Sequence, residues 1–399
     1  MMTDDADGPV EAETTGRQII TFTEDSTHEE RVAALESISG VTSIASSDET
    51  GPEAVPADEL ESADATIFER LGVAVAAVDA SQVESLEEVA RQDPAIVAVE
   101  PEHVVHTLAA PLAMETHLAD GRRHTWGLQA TRALASQFDG SGVRVAVLDT
   151  GFDSNHPDFA GRTIIGKSFV AGQAVQDGNG HGTHCVGTSC GPRNLPNARG
   201  YGVAPKAAIF VGKVLSNQGS GSDSTILAGI EWALANGCHV VSMSLGADVP
   251  QPVMAYEAVG QRALAAGTLI IAAAGNNARR PADPGFVGSP ANSPSIMAVA
   301  ALASDLRMAA FSARATVVPG GAIDIAAPGV DVYSSWPMPD RYNTISGTSM
   351  ATPHVAGLAA LIVQSTAKTG KELWKTLVDG AEVLPLPQVD AGAGLAIAP

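Results

Sequence analysis

Four short apolar segments in the C-terminal part of the chain constrain its fold most strongly. They read VRVAVLD, AAIFVGKVL, HVVSMSLG and GTLIIAAAG, with glycine within or beside each of them. Strands that are apolar at nearly every position are covered on both faces, as in a parallel sheet between two layers of helices. Between the second and third segments, Ile226, Ile230 and Leu234 recur at helical spacing. From about Trp126 onward, the pattern therefore predicts helices and strands that alternate around a mostly parallel sheet.

Residues 17–107 show a different order of elements: strand, helix, strand, strand, helix, strand. Two pairs, Thr27 with Glu30 and Ser81 with Glu84, have capping-box spacing. In such a box a hydroxyl and a carboxylate satisfy the first free N–H groups of a helix. The segment is therefore predicted to form a small α+β domain in front of the α/β domain.

The charge balance argues against a nucleic-acid partner. The 399 residues carry a formal net charge of −22, and the 23 Lys and Arg residues are spread along the chain. The longest apolar stretches fall short of the ~20 residues that a membrane-spanning helix needs. We therefore expect neither nucleic acid nor a membrane among the partners.

The N-terminus and the cysteines bear on the compartment. Residues 1–16 are acidic and polar, without the basic and apolar regions of a signal peptide, and are predicted to be a disordered tail. Cys185, Cys190 and Cys238 are expected to be free thiols, compatible with a reducing compartment. The location stays open between the cytoplasm and secretion by a signal peptide outside these residues.

Polar residues follow three of the predicted strands, where open parallel sheets carry their functional groups. They are Asp149, Ser244 and Asn276. Two glycine-rich segments, DGNGHGTHCVG and SGTSMATPHVAG, add His181 and Ser349 at the starts of helices. A nucleophilic serine needs an imidazole to take its proton and a carboxylate to orient that imidazole. Each residue alone could be a cap or turn residue, but the set predicts serine catalysis.

These segments, in the order Asp, His, Ser, resemble the subtilisin-like serine proteases. VSMSLG is similar to the family's substrate-binding strand, AAAGNN to its oxyanion segment, and DIAAPGVDVYSS to the stretch before the serine. The resemblance implies a three-layer α/β/α catalytic domain over residues 125–399. It also implies that residues 17–107 are a ferredoxin-like α+β propeptide that inhibits the enzyme. Residues 108–124 would then be a linker that contains the autocleavage site.

The resemblance also implies roles for individual residues. Ser349 would attack the carbonyl, His181 would act as general base and acid, and Asp149 would orient His181. Asn276 and the backbone N–H of Ser349 would form the oxyanion hole. The substrate would pair with two extended edges beside an uncharged pocket that prefers a large apolar residue before the scissile bond. The implied substrate-binding residues are Gly219, Ser220, Gly221, Ser244, Leu245, Gly246, Ala273, Ala274, Gly275 and Gly288.

Three further positions bear on specificity. Asn277 stands where some family members carry a carboxylate, so the preference for Lys before the scissile bond should be weaker than in those members. Asp223 could select a basic residue at a more distant subsite, or it could be a solvated loop carboxylate. Ser289-Pro290 aligns with a turn where relatives often have a cis proline.

Metal ions enter as two alternatives. Asp158 matches a residue that helps to bind calcium in many relatives, so it is a candidate ligand for a structural calcium. However, the segment SCGPRNLPNARGYG departs from the family's calcium loop. His181 and His184 could be zinc ligands, but no Glu stands between them as in the His-Glu-x-x-His motif. Cys185 should lie near His181 as a buried apolar residue.

The predicted function is that of an autoprocessing serine endopeptidase with its own propeptide as inhibitor and polypeptides as substrates. No cofactor is expected for catalysis. A peptide transamidase or macrocyclase is one alternative, although no water-excluding insertion separates the motifs. A catalytically silent binding scaffold is the other, although the catalytic residues are intact.

Overall fold

The computed structural model describes residues 12–78, 83–108, 121, 123–317 and 320–399. Most of the predicted acidic tail and of the predicted linker, including any autocleavage bond beyond residue 108, lies outside these residues. No helix of the described residues is long and apolar enough to span a membrane. The elements of the N-terminal unit are β1 (Thr14–Phe22), α1 (His28–Glu36), β2 (Ile44–Ser46), α2 (Ala57–Ser62), β3 (Ala65–Phe68), β4 (Val73–Ala77), α3 (Val83–Gln92) and β5 (Ile96–Thr107).

The N-terminal unit forms one sheet in the order β5-β1-β4-β3-β2. The pairs β1–β5, β1–β4 and β3–β4 are antiparallel, which gives the expected ferredoxin-like layout with a short extra strand at one edge. Ile20, Leu35, Ile67 and Leu86 belong to one buried cluster that joins the sheet to α1 and α3. The burial of these apolar side chains holds the unit together.

The capping box at α1 forms as predicted. The Glu30 N–H donates to Thr27 Oγ1 at 3.2 Å, and the Thr27 N–H donates to Glu30 Oε2 at 2.8 Å. The second predicted box depends on Ser81, which lies outside the described residues.

The C-terminal unit alternates strands and helices. Its elements are α4 (Trp126–Ala130), β6 (Arg144–Asp149), β7 (Ile164–Ser168), α5 (His181–Cys190), β8 (Ala208–Lys213), β9 (Ser220–Ser222), α6 (Asp223–Ala235), β10 (Val240–Met243), β11 (Leu245–Gly246), α7 (Met254–Ala265), β12 (Leu269–Ala273), β13 (Met297–Leu302), β14 (Ile325–Pro328), β15 (Val332–Ser335), β16 (Tyr342–Ile345), α8 (Thr348–Thr366), α9 (Gly370–Asp379) and α10 (Gln388–Ala391). The predicted fold class is confirmed, because seven parallel strands in the order β14-β13-β12-β10-β6-β8-β7 form the central sheet.

Both faces of this sheet are covered, as its apolar strands require. Along β6, Val145 and Val147 point into the core that contains residues of α5 and α8. Ala146 and Leu148 point into the opposite core, which contains residues of α6 and α7. A strand places successive side chains on opposite faces, so one strand serves both cores. The result is the three-layer α/β/α arrangement.

Strand β5 connects the two units. Its last residues leave the N-terminal sheet and pair antiparallel with β9, where Val105 faces Gly221, and with β11, where Thr107 faces Leu245. The N-terminal unit therefore ends as a strand between the two edges that the sequence predicts for substrate binding.

Candidate active site

The carboxylate of Asp149 and the imidazole of His181 form a buried pair. Asp149 is the last residue of β6 and His181 the first residue of α5. His181 Nδ1 donates to the two carboxylate oxygens at 2.8 and 3.0 Å. Burial alone would lower the pKa of His181, but the charge of Asp149 and its hydrogen bond outweigh burial and raise that pKa well above 6.5. The pair therefore suits an imidazole that must accept a proton and hold it.

The loop before His181 is organised by Asp177, which the sequence analysis did not single out. Asp177 Oδ1 accepts hydrogen bonds from the Gly180 N–H and from Thr150 Oγ1, each at 2.9 Å. Asp177 Oδ2 accepts from the N–H and the hydroxyl of Thr183. Gly180 has a φ of 110°, a region that glycine adopts without strain. This carboxylate fixes the start of α5 and so the position of His181.

Ser349 is the second residue of α8 and is fully buried. Its hydroxyl donates to the Ser244 carbonyl at 3.0 Å, and the Ser244 hydroxyl donates to the Ser349 carbonyl at 2.8 Å. His181 Nε2 is buried and has no hydrogen-bond partner among the described residues. The serine hydroxyl is thus turned toward Ser244 and away from a hydrogen bond with the imidazole.

Cys185 lies between the histidine and the serine, as expected for a residue near His181. Its sulfur is 3.9 Å from His181 Nδ1 and 3.6 Å from the Ser349 carbonyl oxygen. Asp149, His181 and Cys185 have possible ligand atoms within 4.8 Å of one another. However, burial raises the pKa of the Cys185 thiol, which favours the protonated form over the thiolate that metals bind.

Asn276 presents its amide to the end of β5. The side-chain oxygen Oδ1 of Asn276 accepts from the Thr348 N–H at 3.0 Å and from the Thr348 hydroxyl at 2.9 Å. These two bonds fix the direction of the amide, and Asn276 Nδ2 donates to the carbonyl oxygen of Leu108. A Cβ placed on Gly246 would lie 3.3 Å from Leu108 Cδ1, so this side chain enters the predicted pocket. Leu108 and Thr348 are two residues that sequence reasoning missed, because their partners are far away along the chain.

The predicted substrate-binding residues fall into two groups. Those of the two edges contact β5: His106 pairs with Ser220 and with Gly246, and the Thr107 N–H donates to the Gly219 carbonyl at 2.9 Å. The others belong to the predicted pocket. The Gly288 N–H donates to the Ala274 carbonyl at 3.1 Å. Ala273, Ala274 and Gly288 are buried, and Gly275 has a φ of 121°.

The structure also shows the surroundings of the three further positions that bear on specificity. Asn277 Nδ2 donates to Asp248 Oδ1 at 2.9 Å and to the Phe286 carbonyl at 3.0 Å. The Ser289-Pro290 peptide bond is cis. Asp223 is not a solvated loop carboxylate, because it is buried beneath β5. That alternative is wrong in this state of the chain.

His184 does not join His181 as a second ligand. His184 Nε2 donates to the Val332 carbonyl at 2.9 Å. Burial lowers the pKa of His184 to about 3, which keeps this imidazole neutral. His354 is similar, with Nδ1 2.8 Å from the Met350 carbonyl oxygen and a pKa lowered by burial to about 4. Both are structural histidines in the packing of helices.

Asp158, the candidate calcium ligand, already has its oxygens occupied by protein donors. Oδ1 accepts from Arg341 Nη2 at 2.6 Å, and Oδ2 accepts from the hydroxyls of Tyr201 at 2.8 Å and Tyr342 at 3.0 Å. The segment from residue 189 to residue 202 contains no carboxylate, and it carries two positive charges, those of Arg193 and Arg199. Calcium needs six to eight oxygen ligands with few competing cations nearby, so these residues do not fit it.

Comparison with known proteins finds a family model and several individual proteins that match most of this chain. Residues 140–394 match the model of the subtilase family. The chain is 41% identical over 302 residues to an alkaline protease of Alkalihalobacillus alcalophilus, which covers 74% of this chain and 70% of the relative. It is 39% identical over 302 residues to subtilisin E of Bacillus subtilis (strain 168), again 74% of this chain and 71% of the relative. Subtilisin DY of Bacillus licheniformis is 41% identical over 238 residues, 59% of this chain and 82% of the relative. The chain therefore belongs to the subtilase family of subtilisin-like serine proteases.

Proposed function

We propose that this serine endopeptidase is made as a zymogen that cuts its own chain after Leu108. One observation carries the proposal: the amide of Asn276 donates to the Leu108 carbonyl while β5 pairs with both substrate edges. Main-chain pairing to a sheet edge is a general way to hold an extended peptide. The segment that ends at Leu108 thus lies as a substrate would lie. The proposed cut lies at the beginning of the predicted linker.

The proposed chemistry follows from the buried pair of Asp149 and His181 and from the contact between Ser349 and Ser244. The Ser349 hydroxyl turns from Ser244 to His181 Nε2, gives up its proton there and attacks the Leu108 carbonyl carbon. Asp149 stabilises the imidazolium that forms. The proton then passes to the nitrogen of residue 109 as the peptide bond breaks, which leaves an acyl-enzyme on Ser349. Water repeats the sequence and releases the Leu108 carboxylate.

Asn276 is proposed to stabilise the negative charge that develops on the carbonyl oxygen. Its amide is held by Thr348 before the reaction begins, so no reorganisation is needed when the charge forms. The equivalent donor of a subtilisin is the reference case for this effect, with a loss of about 100–1,000-fold in turnover on its removal. We propose the backbone N–H of Ser349, near the start of α8, as the second donor.

The N-terminal unit is proposed to stay bound as an inhibitor after cleavage. Besides β5, two of its carboxylates cap helices of the other unit: Glu102 accepts from the Ser224 N–H at 2.8 Å, and Glu100 accepts from the Met254 N–H at 2.9 Å. The buried carboxylate of Glu231 accepts from the Ser47 hydroxyl at 2.8 Å. Acceptors at helix N-termini satisfy N–H groups that have no partner within the helix. These contacts support a complex that outlives the cut.

A preference for large apolar residues before the scissile bond is proposed from the pocket beside Leu108. The residues named for its walls are glycine and alanine, which leave space and bring no charge. A small-walled apolar pocket gains free energy from each buried methylene of a larger side chain. Leu108 is of the class that such a pocket would select.

Catalysis by these residues needs no cofactor. We do not propose calcium at Asp158, because the guanidinium of Arg341 already supplies the positive charge there. Asp158 was expected as a candidate calcium ligand, but it forms an internal ion pair with Arg341 instead.

Covalent labelling with a fluorophosphonate probe tests the proposed nucleophile. Ser349→Ala removes the hydroxyl, and Ser365→Ala, on the same helix, is the matched control. The processed wild type and Ser365→Ala should each take up one probe per chain, and Ser349→Ala should take up none. Absence of labelling in the processed wild type would favour the silent scaffold. Transfer of the acyl group to an added amine in place of water would favour the transamidase.

A further inference from the structure

Lys213 is a fully buried lysine at the end of the strand next to Asp149. It is the last residue of β8, and its backbone faces Asp149 of the parallel strand β6. None of its surface is exposed. Lys213 Nζ donates to the Thr150 carbonyl oxygen and, at 2.9 Å, to Asn217 Oδ1. A buried ammonium group is costly unless hydrogen bonds and opposite charges offset the loss of water, so its surroundings must compensate for it.

The two acceptors of Lys213 belong to segments that position the buried pair. Thr150 follows the carboxylate of the pair, and its hydroxyl accepts from the Gly182 N–H of α5 at 2.9 Å. Asn217 Oδ1 also accepts from the Gly178 N–H at 3.0 Å, in the loop before α5. One ammonium group therefore joins the end of β6 to the loop from which α5 begins.

The charge of Lys213 is balanced by carboxylates that do not form a direct ion pair with it. Burial lowers the pKa of Lys213, and the charges of Asp177 and Asp149 oppose this effect. Asp149 also binds His181, and Asp177 fixes the loop before it. While His181 is neutral, this group therefore holds two negative charges and one positive charge. Protonation of the imidazole adds the second positive charge.

The other titratable groups around His181 were considered on each element that packs nearby. On α5, burial raises the pKa of the Cys185 thiol and lowers the pKa of His184 to about 3, so both side chains are neutral. On α8, burial lowers the pKa of His354 to about 4, so it is neutral as well. The carboxylate of Asp153, after β6, is bound by two backbone N–H groups and a glutamine side chain. None of these groups supplies a positive charge, whereas the lysine on β8 does.

We propose that Lys213 is a positioning residue that holds the end of β6 against the loop before α5 and whose charge favours the neutral imidazole of His181. The inference rests on the roles proposed above for His181 and Asp149 in catalysis. The neutral imidazole is the form that accepts the serine proton. Without the lysine, the two carboxylates would hold the imidazolium more strongly, and the enzyme would become active only at higher pH.

Titration of His181 by nuclear magnetic resonance in the full chain with Ser349→Ala tests the inference independently of activity. Lys213→Gln removes the charge, so it should raise the pKa of His181 by about half a unit to one unit, as expected when one charge is lost from a partly screened interior. Asp177→Asn removes a charge of opposite sign and should lower that pKa. Lys206→Gln, which makes the same change at an exposed lysine, is the matched control and should leave it unchanged.

The two Lys213 variants keep the inference open to contradiction. Lys213→Met, which retains an apolar stem in the buried site, takes the place of Lys213→Gln if the latter does not fold. An unchanged pKa of His181, or a shift in the same direction as in Asp177→Asn, would overturn the inference. Failure of both Lys213 variants to fold where Asp177→Asn folds would assign the lysine to folding alone and would also overturn it. An upward shift in a chain whose processed form cuts no peptide would instead count against the proposed function.

Discussion

At the residue scale, the proposed chemistry depends on the protonation of His181. The imidazole must be neutral to accept the serine proton, and the charge of Asp149 raises its pKa above 6.5 against the effect of burial. We therefore predict that kcat/KM of the processed enzyme is low at acidic pH and rises through an inflection above pH 6.5 as His181 loses its proton. A pH profile with a short peptide substrate measures this inflection.

The variant Asp149→Asn tests whether the charge of Asp149 is what raises the pKa of His181. The loss of the carboxylate should move the inflection to lower pH and reduce kcat by about 10⁴-fold, the loss known for this change in a Ser-His-Asp triad. A wild-type inflection at or below pH 6.5 would contradict the assigned electrostatics.

Removal of the Asn276 amide tests the oxyanion donor. Asn276→Ala should lower kcat by about 100–1,000-fold and leave KM nearly unchanged, because the hydrogen bond strengthens in the transition state. Thr348→Val, which takes away one of the two bonds that orient Asn276, should give a smaller loss. Steady-state kinetics on one peptide compare the three enzymes. If Asn276→Ala raised KM and kept kcat, the amide would bind substrate rather than the transition state.

Much of the site could be predicted from local sequence. Asp149, His181, Asn276 and Ser349 each lie in a short segment with glycine close by, and these segments indicated the candidate site. Arg341 could not be predicted as the partner of Asp158, because 183 residues separate them and many arginines were available. Local motifs indicate which groups can react, and only the fold decides which charges meet.

At the element scale, β5 is both the last strand of the N-terminal unit and the strand that pairs with the edges β9 and β11 of the C-terminal unit. His103 on this strand faces Asp223 of α6 and Tyr256 of α7, with Glu100 and Glu102 on its own strand. The hydrogen bond to Asp223 raises the pKa of His103, so the complex favours the protonated imidazole. Stability from this contact is present below the ordinary pKa of histidine and is lost as pH rises through the raised value.

We accordingly predict that the cleaved N-terminal unit binds more weakly as pH rises above the ordinary histidine pKa of about 6.5. Burial raises the pKa of Tyr256 well above its ordinary value, so Tyr256 stays neutral where His103 titrates. Burial also raises the pKa of Glu100. Inhibition of the processed complex at several pH values measures the effect. His103→Gln should flatten the dependence on pH, and an unchanged slope in that variant would assign the dependence to another group.

Arg341, in the turn between β15 and β16, and Tyr342, the first residue of β16, both contact Asp158. Arg341→Gln should destabilise the protein by about 1–2 kcal/mol, because a buried carboxylate loses its cation while the tyrosine bonds remain. Chelation of calcium by EGTA should leave the melting temperature unchanged. Thermal unfolding in the Ser349→Ala background, where self-digestion is prevented, measures both. A melting temperature that falls with EGTA would contradict this prediction.

At the scale of the whole molecule, the two units share one strand. The order of apolar strands was sufficient to predict three layers, because a strand that is apolar on both faces needs two cores. The sequence could not give the register that brings Leu108 to Asn276 across 168 positions. That register arises from edge pairing and capping contacts, which are backbone interactions with little signature in side-chain type.

The intact masses of the freshly folded wild type and of Ser349→Ala test the central claim most directly, with Ser365→Ala as the matched control. We predict that the wild type and Ser365→Ala break between Leu108 and Ala109, whereas Ser349→Ala stays whole. The claim would be contradicted if all three chains stayed whole, if Ser349→Ala broke at the same bond, or if the wild type were cut only elsewhere in the linker.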